Sequence, residues 1–123
     1  MTALAEVSLT LKERRALDRF VASLVDELGT RLRSVWLYGS RARGEPPHPE
    51  SDVDLLVVVD PERRDDLHLT VQLAADAQEA EGVGPVLFSP LVYGAERITQ
   101  RREIRSFFLQ EVDRDKIVLY GEP

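Results

Sequence analysis

Two carboxylates spaced two residues apart, Asp52 and Asp54, lead into the apolar run "VDLLVVV" at 53–59. Alternate side chains of a β-strand share a face, so on a strand these two converge while Val53 and Leu55 turn to the other side. Like charges held that close destabilise one another unless a cation or a proton lies between them, and Mg2+ prefers carboxylate and phosphate oxygens. A divalent metal is the economical reading. Upstream, Gly39 and Ser40 follow the short aromatic and apolar stretch "SVWLY". The segment "SRARG" can open a short helix whose free amides and Ser40 hydroxyl suit a phosphate. A phosphate turn beside a metal site is the set of parts needed for transfer at a nucleoside triphosphate. Arg41 and Arg43 flank the turn, where each either pairs with phosphate or solvates the loop.

Residues 10–28, "TLKERRALDRFVASLVDEL", place Leu17, Phe20, Leu24 and Leu28 at three- and four-residue steps, which predicts an amphipathic helix. Thr10 with Glu13 has the form of a capping box, and Gly29 stands where a left-handed C-terminal cap is expected. Residues 34–39 predict the first strand, and the proline-rich 44–50, "GEPPHPE", a loop. The continuously apolar run after Asp54 predicts a central strand covered on both faces and ended by Asp60-Pro61. Residues 62–81 alternate at Leu67, Leu69, Val71 and Leu73 in a way that also suits a strand, but length and the alanines that follow favour a helix. A third strand is expected over 84–94, broken or bulged at Pro90. A helix is expected over 95–112, with Ile98, Ile104, Phe107 and Phe108 towards the core, and a closing edge strand over 116–121. The order is α-β-β-α-β-α-β, an α/β chain with a single domain spanning 1–123.

The composition bounds what such a site can serve. With 123 residues, 43% hydrophobic and 31% charged, the chain can bury one sizeable core. A net charge of -6 argues against a duplex-DNA binder, which needs an excess of basic residues on the contacting face. The absence of cysteine excludes disulfides, thiolate zinc sites and cysteine nucleophiles and fits a reducing cytoplasm. No run approaches the ~18 consecutive apolar residues of a membrane span, and "MTALAEVSLT" lacks the pattern of a signal peptide.

"LYGSRARGE" followed by "SDVDLLVVV" resembles the nucleotidyltransferase domain of the polymerase-beta superfamily, in particular its minimal bacterial and archaeal members. The resemblance runs over 10–120 in element order and is specific over 37–59. It implies a mixed sheet with helices packed on it. It also implies Gly39 and Ser40 at the triphosphate, and Asp52 and Asp54 on two Mg2+ ions. The family moves a nucleoside monophosphate, usually AMP from ATP, onto a hydroxyl of a protein, a small molecule or an RNA. Its minimal members are often paired with a small helical protein of the HEPN type, as toxin-antitoxin modules in which the transferase is the antitoxin.

One departure from the family stands out. Active members carry a third carboxylate on the next core strand, and "VGPVLFSPLVY" holds no Asp or Glu. Its place falls near Pro85 or Ser89, and Glu81 is the nearest carboxylate able to swing in. Two readings therefore stand side by side: a Mg2+-dependent transferase, and a catalytically weak nucleotide-binding module that acts by complexing a HEPN-type partner. A third, a structural domain with an incidental aspartate pair, remains if no nucleotide binds. Acceptor choice must come from a partner, a dimer interface or the open sheet face. Arg97, Arg101, Arg102 and Arg105 form a basic stripe that either meets RNA or an acidic partner or, with Glu96 and Glu103, makes a salt-bridged face. Trp36 and Tyr38 are expected in the core, Asp60 in a turn, and His48 and His68 in solvent.

Overall fold

The computed structural model describes residues 9–46, 52–84 and 87–123; Pro85, His48 and most of the predicted proline loop lie outside them. Among these, helix α1 (Leu11–Leu28) begins at the predicted capping box: the Glu13 amide donates to Thr10 Oγ1 at 3.1 Å, and the Thr10 amide to Glu13 Oε1 at 2.9 Å. Gly29 ends it with φ 58 and ψ -131, at positive φ but outside the left-handed helical region, and a 3-10 turn follows over Gly29–Arg31. Strand β1 (Leu32–Tyr38) then runs antiparallel to β2 (Val53–Val59), with Tyr38 opposite Asp54. Helix α2 (Asp66–Glu81) crosses over to β3 (Phe88–Gly94), which pairs parallel with β2. Strand β4 (Ile117–Gly121) closes the other edge against β1, giving a mixed sheet of order β3-β2-β1-β4.

Every residue of β2 but Asp54 is buried, as its uninterrupted apolar run requires of a central strand. One face, with Val53, Leu55, Val57 and Val59, packs beneath α1 and α2 against Phe20, Leu24, Ala74 and Ala77. The other face, with Trp36, Leu56 and Val58, meets Ile98, Leu109 and Val112 from the last two helices. The sheet is thus the middle of three layers.

Two expectations are corrected. Strand β3 is neither broken nor bulged at Pro90: its register runs without a shift from Val53 opposite Phe88 to Val59 opposite Gly94. It is an edge strand, where a missing N–H is tolerated. The single helix expected over 95–112 is two, α3 (Ala95–Glu103) and α4 (Phe107–Asp115). Between them Arg105 has φ 53, its amide donates to the Arg102 carbonyl at 3.1 Å and the Ser106 amide to that of Arg101 at 2.9 Å. This paired pattern is a Schellman turn, which Gly82 makes at the end of α2 with the usual residue. The elbow turns Ile104 and Phe107 outward, 68% and 76% exposed, instead of into the predicted core.

Helix α2 is anchored at its start by Asp66, which accepts from Arg31 Nη1 and Nη2 at 3.0 and 2.9 Å and from the Arg63 amide at 2.8 Å. Arg31, first through these hydrogen bonds, holds the Asp66 carboxyl below its ordinary 3.8. A depressed folded-state value means the pair stabilises above the unfolded value and is lost as pH falls through the folded one. We expect Asp66→Asn to cost about 2 kcal/mol at neutral pH, and the gap to the unsubstituted chain to close in melts run below about pH 4. A gap that persisted unchanged in acid would assign the effect to packing.

Candidate active site

The site lies where β1 runs out and β2 begins. Gly39 leaves β1 with φ 79, and a Cβ built on it would stand 3.3 Å from Asp54 Cγ and closer still to Oδ2. No other residue type lets the backbone of this turn approach the Asp54 carboxyl so nearly. From Gly39 the chain curls through 39–45: the Arg43 amide donates to the Gly39 carbonyl at 3.1 Å, Glu45 to Ser40 at 3.1 Å and Gly44 to Arg41 at 3.3 Å. The expected short helix is therefore a hydrogen-bonded turn. Among the described residues the Ser40 and Ala42 amides have no backbone partner, and Ser40 is half-buried.

Asp54 is half-buried on the sheet face away from α1 and α2, and Asp52 is exposed just before the strand. Burial, and then the neighbouring Asp52 charge, push the Asp54 carboxyl up, while Arg43 pulls it down. The two carboxylates therefore interact at an electrostatic cost that a cation would relieve. The donor chemistry suits a divalent ion: the Asp54 carboxylate lies against Gly39, whose missing side chain lets the two approach, and the Asp52 carboxylate is near enough to raise its pKa.

The turn splits the two arginines. Arg43 is exposed, bonds Glu45, and reaches Asp115 Oδ2 at 2.9 Å, so it stays at the rim of the site. Arg41 is 4% exposed and donates to Glu13 Oε1 at 2.9 Å, beneath α1. The curl of 39–45 takes residues 41 and 42 inward and 43 outward, so of the two arginines Arg43 is the exposed one. Glu81 does not complete the carboxylate set either, because it pairs with Arg19 on the α1 side of the sheet. Ser89 takes the register position beside Asp54 on β3. Among the described residues, no group of three or more His, Cys, Asp or Glu could jointly hold a metal ion. Asp60 pairs with Arg33 at 3.3 Å and His68 is exposed, both apart from the site.

Two components of the site escape a reading of the sequence. Tyr38, expected in the core, is half-buried opposite Asp54, and its hydroxyl is pushed up to about 12 by burial, then by Asp54 and Tyr93. Its place directly before Gly39 is the available signal. Asp115, whose side chain is 9% exposed, is held by Arg114 and fixes Arg43; nothing in the sequence links it to the turn. A cleft of about 630 Å3 lined by Glu62, Arg63, Arg64, Tyr93 and Arg97 lies at the opposite end of β2 and β3 and is not this site.

A strand, a glycine-serine turn and a second strand opening on paired aspartates, within a mixed sheet layered by helices, define a nucleotidyltransferase domain. The family model for that domain matches residues 17–117, and the chain belongs to this family. Among solved structures it is similar to a mutant form of the toxin-antitoxin MntA-HpeT, at 18% identity and a TM-score of 0.55, over 86% of this chain and 72% of that one. It is likewise similar to a toxin-antitoxin with AMP-PNP, at 19% identity and a TM-score of 0.53, over 84% and 72%. At these identities the likeness is one of fold. A search of curated proteins finds no significant match. Among the described residues, no helix is long and apolar enough to cross a membrane.

Proposed function

We propose that the chain binds a nucleoside triphosphate, ATP by its resemblance, at the Gly39-Ser40 turn and transfers the nucleoside monophosphate to a hydroxyl acceptor, with Asp52 and Asp54 holding Mg2+, two ions by the same resemblance. The observation that carries this reading is the approach of Gly39 to Asp54, which brings a turn whose Ser40 and Ala42 amides have no backbone partner among the described residues against a strained carboxylate pair. Bound there, Mg2+ would neutralise triphosphate charge and polarise the phosphorus under attack. The chain's own residues do the positioning. Asp54 stands on a strand buried along the rest of its length, which holds its backbone in place. Ser40 and the amides of the turn orient the phosphates. Arg43, braced by Glu45 and Asp115, presents a cation at the rim. Tyr38 stays protonated at neutral pH and serves as a hydrogen-bond donor beside Asp54. Arg41 acts at one remove, tying the turn to α1 through Glu13.

The structure with AMP-PNP supports a nucleotide at this fold, and the toxin-antitoxin neighbours support a protein partner, which we take to be of the HEPN type with this chain as antitoxin in the cytoplasm. Ser89 beside Asp54 favours a second reading, a nucleotide-binding module of weak catalytic power that acts by complex formation. Loss of a general base costs about 100- to 10,000-fold in rate without abolishing binding. Both readings share one expected result: Mg-ATP at about a hundredfold excess over its Kd raises Tm by on the order of 10 °C. No shift at millimolar Mg-ATP removes the site. Incubation with labelled ATP and the protein encoded by the adjoining gene then separates the two, since label on an acceptor requires the enzyme.

A further inference from the structure

We infer that the elbow between α3 and α4 is a docking surface for a separate protein that offers an apolar hollow rimmed by carboxylates. The inference rests on the reading that the chain works with a protein partner, and not on the metal site. Ile104 and Phe107, at 68% and 76%, are more exposed than any other large apolar side chain among the described residues. They flank Arg105 and Ser106, so the turn presents both together. Leaving a phenylalanine and an isoleucine in water is unfavourable by about 2 kcal/mol each relative to burial, and paired apolar projections of this kind mark interaction surfaces.

The charges around them select the occupant. Residues 101–105 hold three arginines and one glutamate in a chain of net charge -6. Arg102 is paired with Asp113 at 2.9 Å. Arg101 and Arg105 are exposed and make no ion pair among the described residues; the exposed Glu103 makes none either. Arg101, Arg105, Ser106 and Gln110, together with the Arg102–Asp113 pair, line a hollow of about 210 Å3 at the elbow, with room for a further side-chain carboxylate against the two unpaired arginines. Arg105 also holds φ 53, a conformation glycine adopts at lower cost. A long cation thus stands where the turn itself calls for none.

A second copy of this chain is a poor occupant, because a two-fold contact through the elbow sets Arg101 and Arg105 against their own equivalents. A nucleic acid would use the arginines but leave Ile104 and Phe107 in water. An acidic rim around an apolar hollow satisfies both. The surface also belongs to the catalytic side of the sheet: Phe108, next to Phe107, packs edge-on to Tyr38 with ring centres 5.5 Å apart, and Tyr38 stands opposite Asp54. A protein docked here is held on the face that bears Asp54.

The test uses the full chain and the protein encoded by the adjoining gene, with affinity measured by calorimetry and self-association by sedimentation. Phe107→Ser with Ile104→Ser is expected to weaken the complex at least tenfold. Arg105→Gly, which keeps or eases the turn while removing the cation, is expected to weaken it as well with Tm unchanged or raised. Unchanged affinity in both variants overturns the docking surface while leaving the partner reading in place. Absence of any complex with the unsubstituted chain overturns both. Self-association lost in the same variants, or binding of RNA instead of the protein, assigns the elbow to a different occupant and overturns the inference.

Discussion

Asp54→Asn is expected to lower nucleotidyl transfer by on the order of a thousandfold while leaving Tm unchanged or slightly raised. Asparagine keeps the shape of the side chain and one oxygen but removes the charge that would hold a cation. It also removes a carboxyl that burial and Asp52 disfavour in the absence of metal, so the apo fold has nothing to lose by the change. The two readouts therefore move apart, which a structural role would not produce. Single-turnover transfer from labelled ATP and thermal melts with and without Mg2+ measure both. Labelling that survives the substitution would place the metal ligand elsewhere, and a large drop in Tm would make Asp54 a structural residue.

Gly39→Ala is expected to cost about 3 kcal/mol and to abolish the Tm response to Mg-ATP. Two terms add. A left-handed backbone costs a non-glycine residue about 1–2 kcal/mol, and the new methyl group runs into the Asp54 carboxyl, forcing the strand end or the turn to shift at a further cost of about 1–3 kcal/mol. Gly82→Ala separates them, because Gly82 is left-handed, with φ 69 and ψ 27, yet a Cβ there meets nothing within 4 Å. It should lose only about 1 kcal/mol and keep the nucleotide response. Denaturant melts of the two variants check the difference. Equal losses would mean that the approach of Gly39 to Asp54 is not tight.

The parts of this fold that are legible in the sequence are those where one physical requirement governs a whole stretch. An uninterrupted apolar run can only be a strand covered on both faces, and 53–59 is one. A threonine and a glutamate three apart cap a helix, and Thr10 and Glu13 do. What escapes depends on single backbone angles and long-range partners. The break between α3 and α4 rests on Arg105 at φ 53, and no glycine announces it, so the apolar spacing of 95–112 reads as one helix and misplaces Ile104 and Phe107. Arg41 and Arg43 are alike in sequence; only the curl of the turn sends one to Glu13 and the other to Asp115. The paired aspartates and the glycine-serine turn are legible as a unit because their chemistry is local. The Tyr38 hydroxyl and the Asp115 brace are not, since each depends on strand register or on α4 returning to the sheet.

Glu13 Oε1 accepts from both the Thr10 amide and the Arg41 guanidinium, each at 2.9 Å. One oxygen therefore closes the start of a helix and moors the turn before Asp52. Unwinding the first turn of α1 would slacken that mooring, and a nucleotide that steadies the turn would in the same measure steady the helix end. Tension applied ahead of Thr10 would then reach, through Glu13, the turn proposed to hold the phosphates.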